Sequence, residues 1–203
     1  MRLALSHKEW LLGFEDETWW SRFEQPKLYA WAEAEQPLRL IEQVKASSDT
    51  EAKALACYGL LVRFPDLEAT AEQVWLRFVD GRPVSVLTTD FLDWLCGKAQ
   101  ALGKRVLAVV WDNASWHSSQ AVRQWVREHN RLVKSTGQGI RLLVCPLPIK
   151  SPWLNPIEPK WLHAKRRILE PDRTLSMHEL AERICATFAC THEAHLTIPE
   201  KVS

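Results

Sequence analysis

No apolar run in this sequence reaches membrane-spanning length, and Met1 to Phe14 lacks the long apolar centre of a signal peptide. The expectation is a cytoplasmic protein with no membrane partner. A disulfide framework is missing too. Cys57, Cys96, Cys145, Cys185 and Cys190 are odd in number and scattered through apolar segments, which is the pattern of reduced thiols. There is no glycine-rich phosphate loop and no activated serine or cysteine motif, so phosphate cradles and covalent nucleophiles drop out of consideration. No repeat, low-complexity tract or linker interrupts the chain. Residues 1–203 therefore read as one domain, long enough to bury a substantial core.

Tryptophan, in contrast, is abundant: the chain has 11, most of them expected to pack and some able to stack on exposed bases. Charge is unevenly placed. Residues 1–120 carry 13 basic and 17 acidic side chains, whereas residues 121–173 carry 11 basic and 4 acidic. A basic segment set against an acidic remainder is the footprint of a nucleic-acid-facing surface, although a solvated helix face would look the same residue by residue. Near the end, Cys185, Cys190, His192 and His195 lie close together. Zinc needs four converging ligands, and this spacing does not match the usual knuckles, so the stretch reads as a helix followed by a polar tail.

Hydrophobic patterning supplies the elements. His7–Phe14 and Lys27–Glu33 read as a hairpin, with the acidic trio Glu15-Asp16-Glu17 between them. Ala54–Phe64 and Gln73–Val79 read as further strands. Thr88 or Thr89 is expected to cap a helix that Gly103 stops. Val106–Trp111 is a continuous apolar run, the mark of a strand covered on both faces. Ser118 or Ser119 then starts a helix reaching about Val133, with Val122, Trp125, Val126 and His129 as its buried stripe and Arg123, Arg127 and Arg131 on another face. Ile140–Leu147 is the last strand. A final helix follows Thr174, with Ser176 and Glu179 placed for a capping box. Strands first, then strands alternating with helices, imply an α/β domain with a helix-covered sheet.

Two acids stand out from this frame. Asp112 follows the Val106–Trp111 strand directly, and open α/β sheets hold their ligands at the carboxyl ends of strands. Glu158 lies in Ser151-Pro152-Trp153-Leu154-Asn155-Pro156-Ile157-Glu158-Pro159-Lys160-Trp161, where Asn155 can cap a helix, Pro156 suits its first position and Glu158 falls at the third. Trp153 and Trp161 bracket that acid and read as helix anchors. After it, Lys160, His163, Lys165, Arg166 and Arg167 occupy little more than two turns, and Glu158 and Lys165, seven apart, point in similar directions.

Trp111-Asp112-Asn113 … His117 and the Asn155-Pro156-Ile157-Glu158 … Trp161 block together resemble the second and third acidic blocks of DDE-type transposases, in the bacterial insertion-sequence branch related to mariner elements. The resemblance implies a ribonuclease H-like fold with a central mixed five-stranded sheet flanked by helices. It implies a first acid on the first strand, which Asp16-Glu17-Thr18 matches. Asp16, Asp112 and Glu158 are then the expected catalytic acids and the ligands of two Mg²⁺ or Mn²⁺ ions. Carboxylates from separated segments suit such ions, and ion pairs of this kind activate a nucleophile and stabilise a leaving oxygen. The implied partner is double-stranded DNA, as transposon ends and target, cut and joined by an enzyme that is homodimeric when active. Lys160, Lys165, Arg166 and Arg167 are the expected DNA contacts, with Asn113 and His117 as accessory groups to the metal site. The chain begins almost at the first catalytic strand, so the N-terminal helix-turn-helix of the family is expected to be absent. Two other readings remain: a truncated or domesticated remnant that binds without cutting, and a ribonuclease H-type nuclease acting on hybrids.

Overall fold

The computed structural model describes residues 6–23, 45–64, 72–168 and 173–198. The elements in chain order are β1 (Trp10–Ser21), β2 (Ala54–Arg63), β3 (Glu72–Asp80), α1 (Ser85–Ala101), β4 (Val106–Trp111), α2 (Gln120–Thr136), β5 (Arg141–Pro146), α3 (Glu158–Ile168), α4 (Met177–Phe188) and β6 (Leu196–Thr197), with a short 3₁₀ turn at Pro152–Leu154. They form one mixed sheet in the order β5-β4-β1-β2-β3-β6. β1, β2 and β3 pair antiparallel, while β4 runs parallel to β1 and β5 parallel to β4. This is the ribonuclease H-like arrangement, with one strand beyond the expected five. The addition is β6, two residues parallel to the end of β3, too short to carry a periodic signal in the sequence.

Period-two alternation divides the core between the two faces. Leu12, Phe14 and Trp20 of β1 pack with Trp161, Ala164 and Ile168 of α3 and Leu180 and Ile184 of α4. Leu11 of β1, Tyr58 and Leu60 of β2 and Leu107 and Val109 of β4 pack with Leu87, Phe91, Leu92 and Leu95 of α1 and Val122 of α2. The helices thus lie on both faces, and β1 and β4 are central.

Several expectations need correction. β1 does not turn after Phe14; it runs through the acidic trio to Ser21, because Trp10–Phe14 pair with β4 and Leu12–Ser21 pair with β2. The Lys27–Glu33 strand lies outside the described residues. Helix α1 begins at Ser85, a turn before the expected cap; Thr88 is buried inside it, bonded to the Val84 carbonyl and to the Tyr58 hydroxyl. Ser119 caps α2 by accepting from the Val122 N–H, as the sequence suggests, but only Val122 of the expected stripe is fully buried. His129 is a packing residue, stacked on Trp125 with Nε2 at 2.7 Å from the Ile140 carbonyl. The Ser176–Glu179 capping box is present. Trp153, expected to anchor α3, is 76% exposed, and Trp161 alone does the anchoring.

Trp161 docks against β2 at Gly59. A Cβ on Gly59 would stand 2.4 Å from the Trp161 indole, so no larger residue fits unless the indole or α3 shifts. Gly59→Ala is expected to destabilise the protein by about 1–3 kcal/mol through overpacking. A urea titration should show a lower midpoint with an unchanged slope; an unchanged midpoint would mean that α3 is not seated on β2.

Candidate active site

Asp16 sits on β1 opposite Gly59 of β2. In the parallel pairing of β1 with β4, Phe14 aligns with Val110, so two residues further along the same register Asp16 comes level with Asp112. Adjacent strands lie about 4.8 Å apart, which makes these two acids near neighbours at the carboxyl end of the sheet. Glu158 opens α3 on the same face. The segment that delivers it is tied down at three points. Asn155 is buried and its amide donates to the Glu15 carbonyl at 2.8 Å. Ile157 is fully buried, and the Trp161 Nε1–H donates to Asp16 Oδ2 at 2.9 Å. This corrects the capping-box expectation. Asn155 still caps, its Oδ1 accepting from the Ile157 N–H at 3.5 Å while its amide donates across to the β1 backbone, but the reciprocal half of the box is missing and the Glu158 N–H bonds to the Asn155 carbonyl.

The three carboxylates feel one another. Burial, with repulsion from Glu158 and Glu17, pushes the pKa of Asp16 up to about 7 against the Trp161 hydrogen bond. Partial desolvation and repulsion from Asp112 raise Glu158, while Lys165 opposes that rise. Asp112 moves the other way, because His117 and the Ala114 N–H both donate to it. Both of those bonds go to Oδ1, at 2.9 and 2.8 Å. Among the described residues, then, the hydrogen bonds use one oxygen of Asp112 and one of Asp16, and each acid keeps an oxygen for another partner. Repelling carboxylates with oxygens to spare are a donor set that fits a hard divalent cation.

On the opposite face of β1, Glu15 and Glu17 point to His117. The imidazole is buried and stacks on Trp111 at 4.6 Å, with the planes 3° apart. Its Nδ1 is 2.9 Å from Asp112 Oδ1, and its Nε2 is 2.9 Å from Glu17 Oε1 and 3.1 Å from Glu15 Oε2. Burial works against a charge on this ring. The Glu15 carboxylate and the hydrogen bonds to Asp112, Glu15 and Glu17 outweigh it and hold His117 protonated well above the usual histidine range. Trp116 Nε1–H adds a bond of 2.6 Å to Glu17. Glu15 has the least compensation: its described polar partner is His117, 3.1 Å from Oε2, and desolvation with repulsion from Glu17 pushes its pKa up to about 8. The sequence singled out His117 but not Glu15 and Glu17 as its partners. Their signal is the alternation around Asp16, which places them together on the other face once β1 is known to be continuous.

The remaining site candidates separate. Asn113 donates to the Leu147 carbonyl at 2.6 Å and stitches the end of β4 to the connection after β5. Lys165 shares the Glu158 side of α3, with its ammonium 5.8 Å from the centre of the Trp20 ring. Lys160 is turned to Glu72 of β3 in a 2.8 Å ion pair, and it lines a groove with His163 and Arg167 there. Arg166 is exposed. Arg123 and Arg127 of α2, read from the sequence only as a helix face, line the cleft beside Asp112 with Asn113 and His117.

A ribonuclease H-like sheet with this order of helices is the architecture of DDE-type transposase catalytic domains. Residues 85–181, which contain Asp112 and Glu158, match the family model of the DDE superfamily endonuclease. The fold is similar to that of the Mos1 transposase paired-end complex with left transposon end, at TM-score 0.59 and 16% identity, covering 94% of this chain and 52% of that one. It is likewise similar to the mariner Mos1 paired-end complex with Mg, at TM-score 0.58 and 16% identity over 88% of this chain and 48% of that one. The catalytic domain of Mos1 mariner transposase matches at TM-score 0.50 and 16% identity, covering 94% of this chain and 78% of that one. The chain spans about half the length of the transposase chains in the two complexes. No curated protein matches the sequence. No helix among the described residues is long and apolar enough to cross a membrane.

The raised pKa of Asp16 makes a prediction about stability. The folded chain holds this proton up to about pH 7, whereas the unfolded chain releases it near 3.8. Between those values the folded state binds more protons, so stability falls as pH rises through this window in metal-free solution. Asp16→Asn should therefore leave stability near pH 4 unchanged and raise it at pH 8 by on the order of 2–4 kcal/mol. Thermal unfolding in chelator at both pH values checks this, and equal effects at the two would show that Asp16 is not desolvated by its neighbours.

Proposed function

We propose that this chain is a divalent-metal-dependent DNA endonuclease and strand-transfer domain acting at the ends of an insertion sequence, with Asp16, Asp112 and Glu158 as its catalytic acids. The observation that carries this reading is that three carboxylates, from β1, the end of β4 and the start of α3, lie near enough on one face to raise the proton affinity of Asp16 and Glu158. The family match over residues 85–181 and the likeness to transposase catalytic domains support it. Asp16, Asp112 and Glu158 would hold two Mg²⁺ or Mn²⁺ ions, which supply charge neutralisation for the scissile phosphate and its leaving oxygen.

The protein's own groups do the positioning. His117, held as an imidazolium between Asp112 and the Glu15–Glu17 pair, pins Oδ1 of Asp112 and leaves Oδ2 facing outward. The Trp161 indole does the same for Asp16 through Oδ2. Asn113 fixes the turn that follows β4. Lys165, beside Glu158, and the exposed Arg166 are placed to meet the phosphates flanking the cut. Arg167 and Lys160 lie around the helix toward Glu72, so their contribution to DNA is the smaller. Cleavage breaks the P–O3′ bond by attack of water, leaving a 3′ hydroxyl and a 5′ phosphate; the freed hydroxyl then attacks a phosphate of the target, forming a new P–O3′ bond as the target's own P–O3′ bond breaks and its 3′ oxygen leaves as a hydroxyl. Residues 1–203 act in this reading as the catalytic domain, and a homodimer brings two ends together.

Two measurements test it. Duplex DNA carrying a terminal repeat should be nicked in Mg²⁺ or Mn²⁺ and not in chelator. Asp112→Asn and Glu158→Gln should each abolish nicking and weaken calorimetric Mn²⁺ binding. Unchanged ion binding in Asp112→Asn would remove that residue from the ligand set. Separately, phosphate contacts are read by salt: replacing Lys165 and Arg166 by alanine should lower the slope of log affinity against log salt by about two. An unchanged slope would place DNA elsewhere.

A further inference from the structure

Helix α2 carries a set of cations that the carboxylate face does not use. Arg123, Arg127 and Arg131 recur every fourth residue and Lys134 follows; at about 100° per residue the four fall within an arc of roughly 80°. Like charges four apart oppose a helix instead of supporting it. The apolar side of α2, formed by Val122, Trp125 and Val126, is turned to the sheet. All four cations are exposed, as is Arg141 at the start of β5. Among the described residues none of these five has an ion pair, whereas Lys160 of α3 is held by Glu72.

The five cations line one continuous path. A cleft beside Asp112 and Asn113 is walled by Arg123 and Arg127. A second cleft is walled by Arg127, Arg131, Lys134 and Arg141. Arg127 belongs to both, so the path leads away from Asp112 along β5, the edge strand of the sheet. Its walls are tied together. The Asn130 amide donates to the Leu142 carbonyl at 2.8 Å and its Oδ1 accepts from the Leu142 N–H at 2.9 Å, so α2 satisfies the outer edge of β5 at that point. His129 Nε2 adds a contact of 2.7 Å to the Ile140 carbonyl. Charges mounted on walls already fixed to each other need little ordering when a partner binds.

We infer that this track holds the phosphate backbone of the target duplex, an assignment that rests on the proposed joining of a freed end to a second DNA. From Arg123 to Lys134 the helix rises about 16 Å, the axial length of about five nucleotides of one strand. Guanidinium groups grip phosphate oxygens without reading base edges, which suits a partner of arbitrary sequence. Joining needs two DNAs at one site. Lys165 and Arg166, beside Glu158, serve the end, and the track starts at Asp112. DNA flanking the end is covalently attached to it and is already present at high effective concentration. A target arrives as a separate molecule, so its capture depends on contacts of its own.

The variant carrying Arg131→Ala, Lys134→Ala and Arg141→Ala removes the far part of the track and leaves the residues at Asp112 untouched; circular dichroism should show it folded. Its affinity for random-sequence duplex should have a salt slope lower by about three. Joining of a duplex with a pre-formed 3′ hydroxyl end to a supercoiled plasmid should fall by on the order of tenfold or more. Nicking of the terminal-repeat duplex should be unchanged. An unchanged salt slope overturns the inference. So does an equal loss of nicking and joining, which would give the track to the flanking DNA. An unsubstituted chain that neither nicks nor joins would refute the proposed function and with it the target assignment, while a lowered salt slope would still place duplex DNA on the track.

Discussion

The seating of Trp161 against Gly59 is the contact on which the geometry of the carboxylate face depends. One indole fills the space that a missing Cβ leaves on β2, packs edge-on to Trp20 at 5.9 Å, and gives its N–H to Asp16. The same side chain therefore fixes the height of α3 above the sheet and the rotamer of the acid beneath it. Glu158, one turn earlier on that helix, has no described hydrogen bond through its own carboxylate. Its position follows from Trp161 on one side and from Asn155 and Ile157 on the other. An exposed acid is held by three buried neighbours, which leaves its oxygens to the site.

β1 then separates two kinds of negative charge by its pleat. Asp16 projects to the α3–α4 face with Asp112 and Glu158, where water and ions have access. Glu15 and Glu17 project to the α1–α2 face, where burial is nearly complete and one imidazolium serves them both. His117 joins the two faces, because its Nδ1 reaches Asp112 around the end of the sheet while its Nε2 serves the buried pair. Removing one member of a buried ion group leaves an uncompensated charge, typically a loss of about 3–5 kcal/mol. The orientation of Asp112 is thus backed by a large energetic penalty at some distance from its solvent-facing oxygen.

Much of this was legible in the chain. The Val106–Trp111 run is a strand covered on both faces, and a strand that ends in an acid beside a second acidic block places Asp112 and Glu158 correctly on their elements. Ser119, Ser176 and Gly103 mark helix ends by local chemistry that needs no tertiary context. The failures share a cause. Glu15-Asp16-Glu17 reads as a turn because three successive acids are costly in a strand, and the tertiary partners His117, Trp116 and Trp161 offset that cost. Asn155 reads as a cap, and its Oδ1 does accept from the Ile157 N–H, but the tie of its amide to the Glu15 carbonyl, 140 residues away, leaves no trace in the local pattern. Lys160 reads as part of a basic face, but Glu72, far away in sequence, takes its charge. Long-range pairing decides each of these, and no local pattern encodes it.

The unequal proton affinities of the acids follow from the same asymmetry. Asp112 is ionised at any physiological pH because His117 favours its charged form, while Asp16 shares its proton with solvent near pH 7 because its neighbours are acids. A divalent cation drawn to this face therefore meets one carboxylate already charged and one that must give up a proton. Its affinity should rise with pH mainly through Asp16, since ligands must be deprotonated to bind. A cation bound there, as proposed, would neutralise the repulsion that raises Asp16 and relieve the cost that this repulsion imposes at neutral pH. Three carboxylates held this close oppose folding on their own and would reinforce it with a cation between them, and the indole and imidazole that flank them are what allow the fold to tolerate their charge.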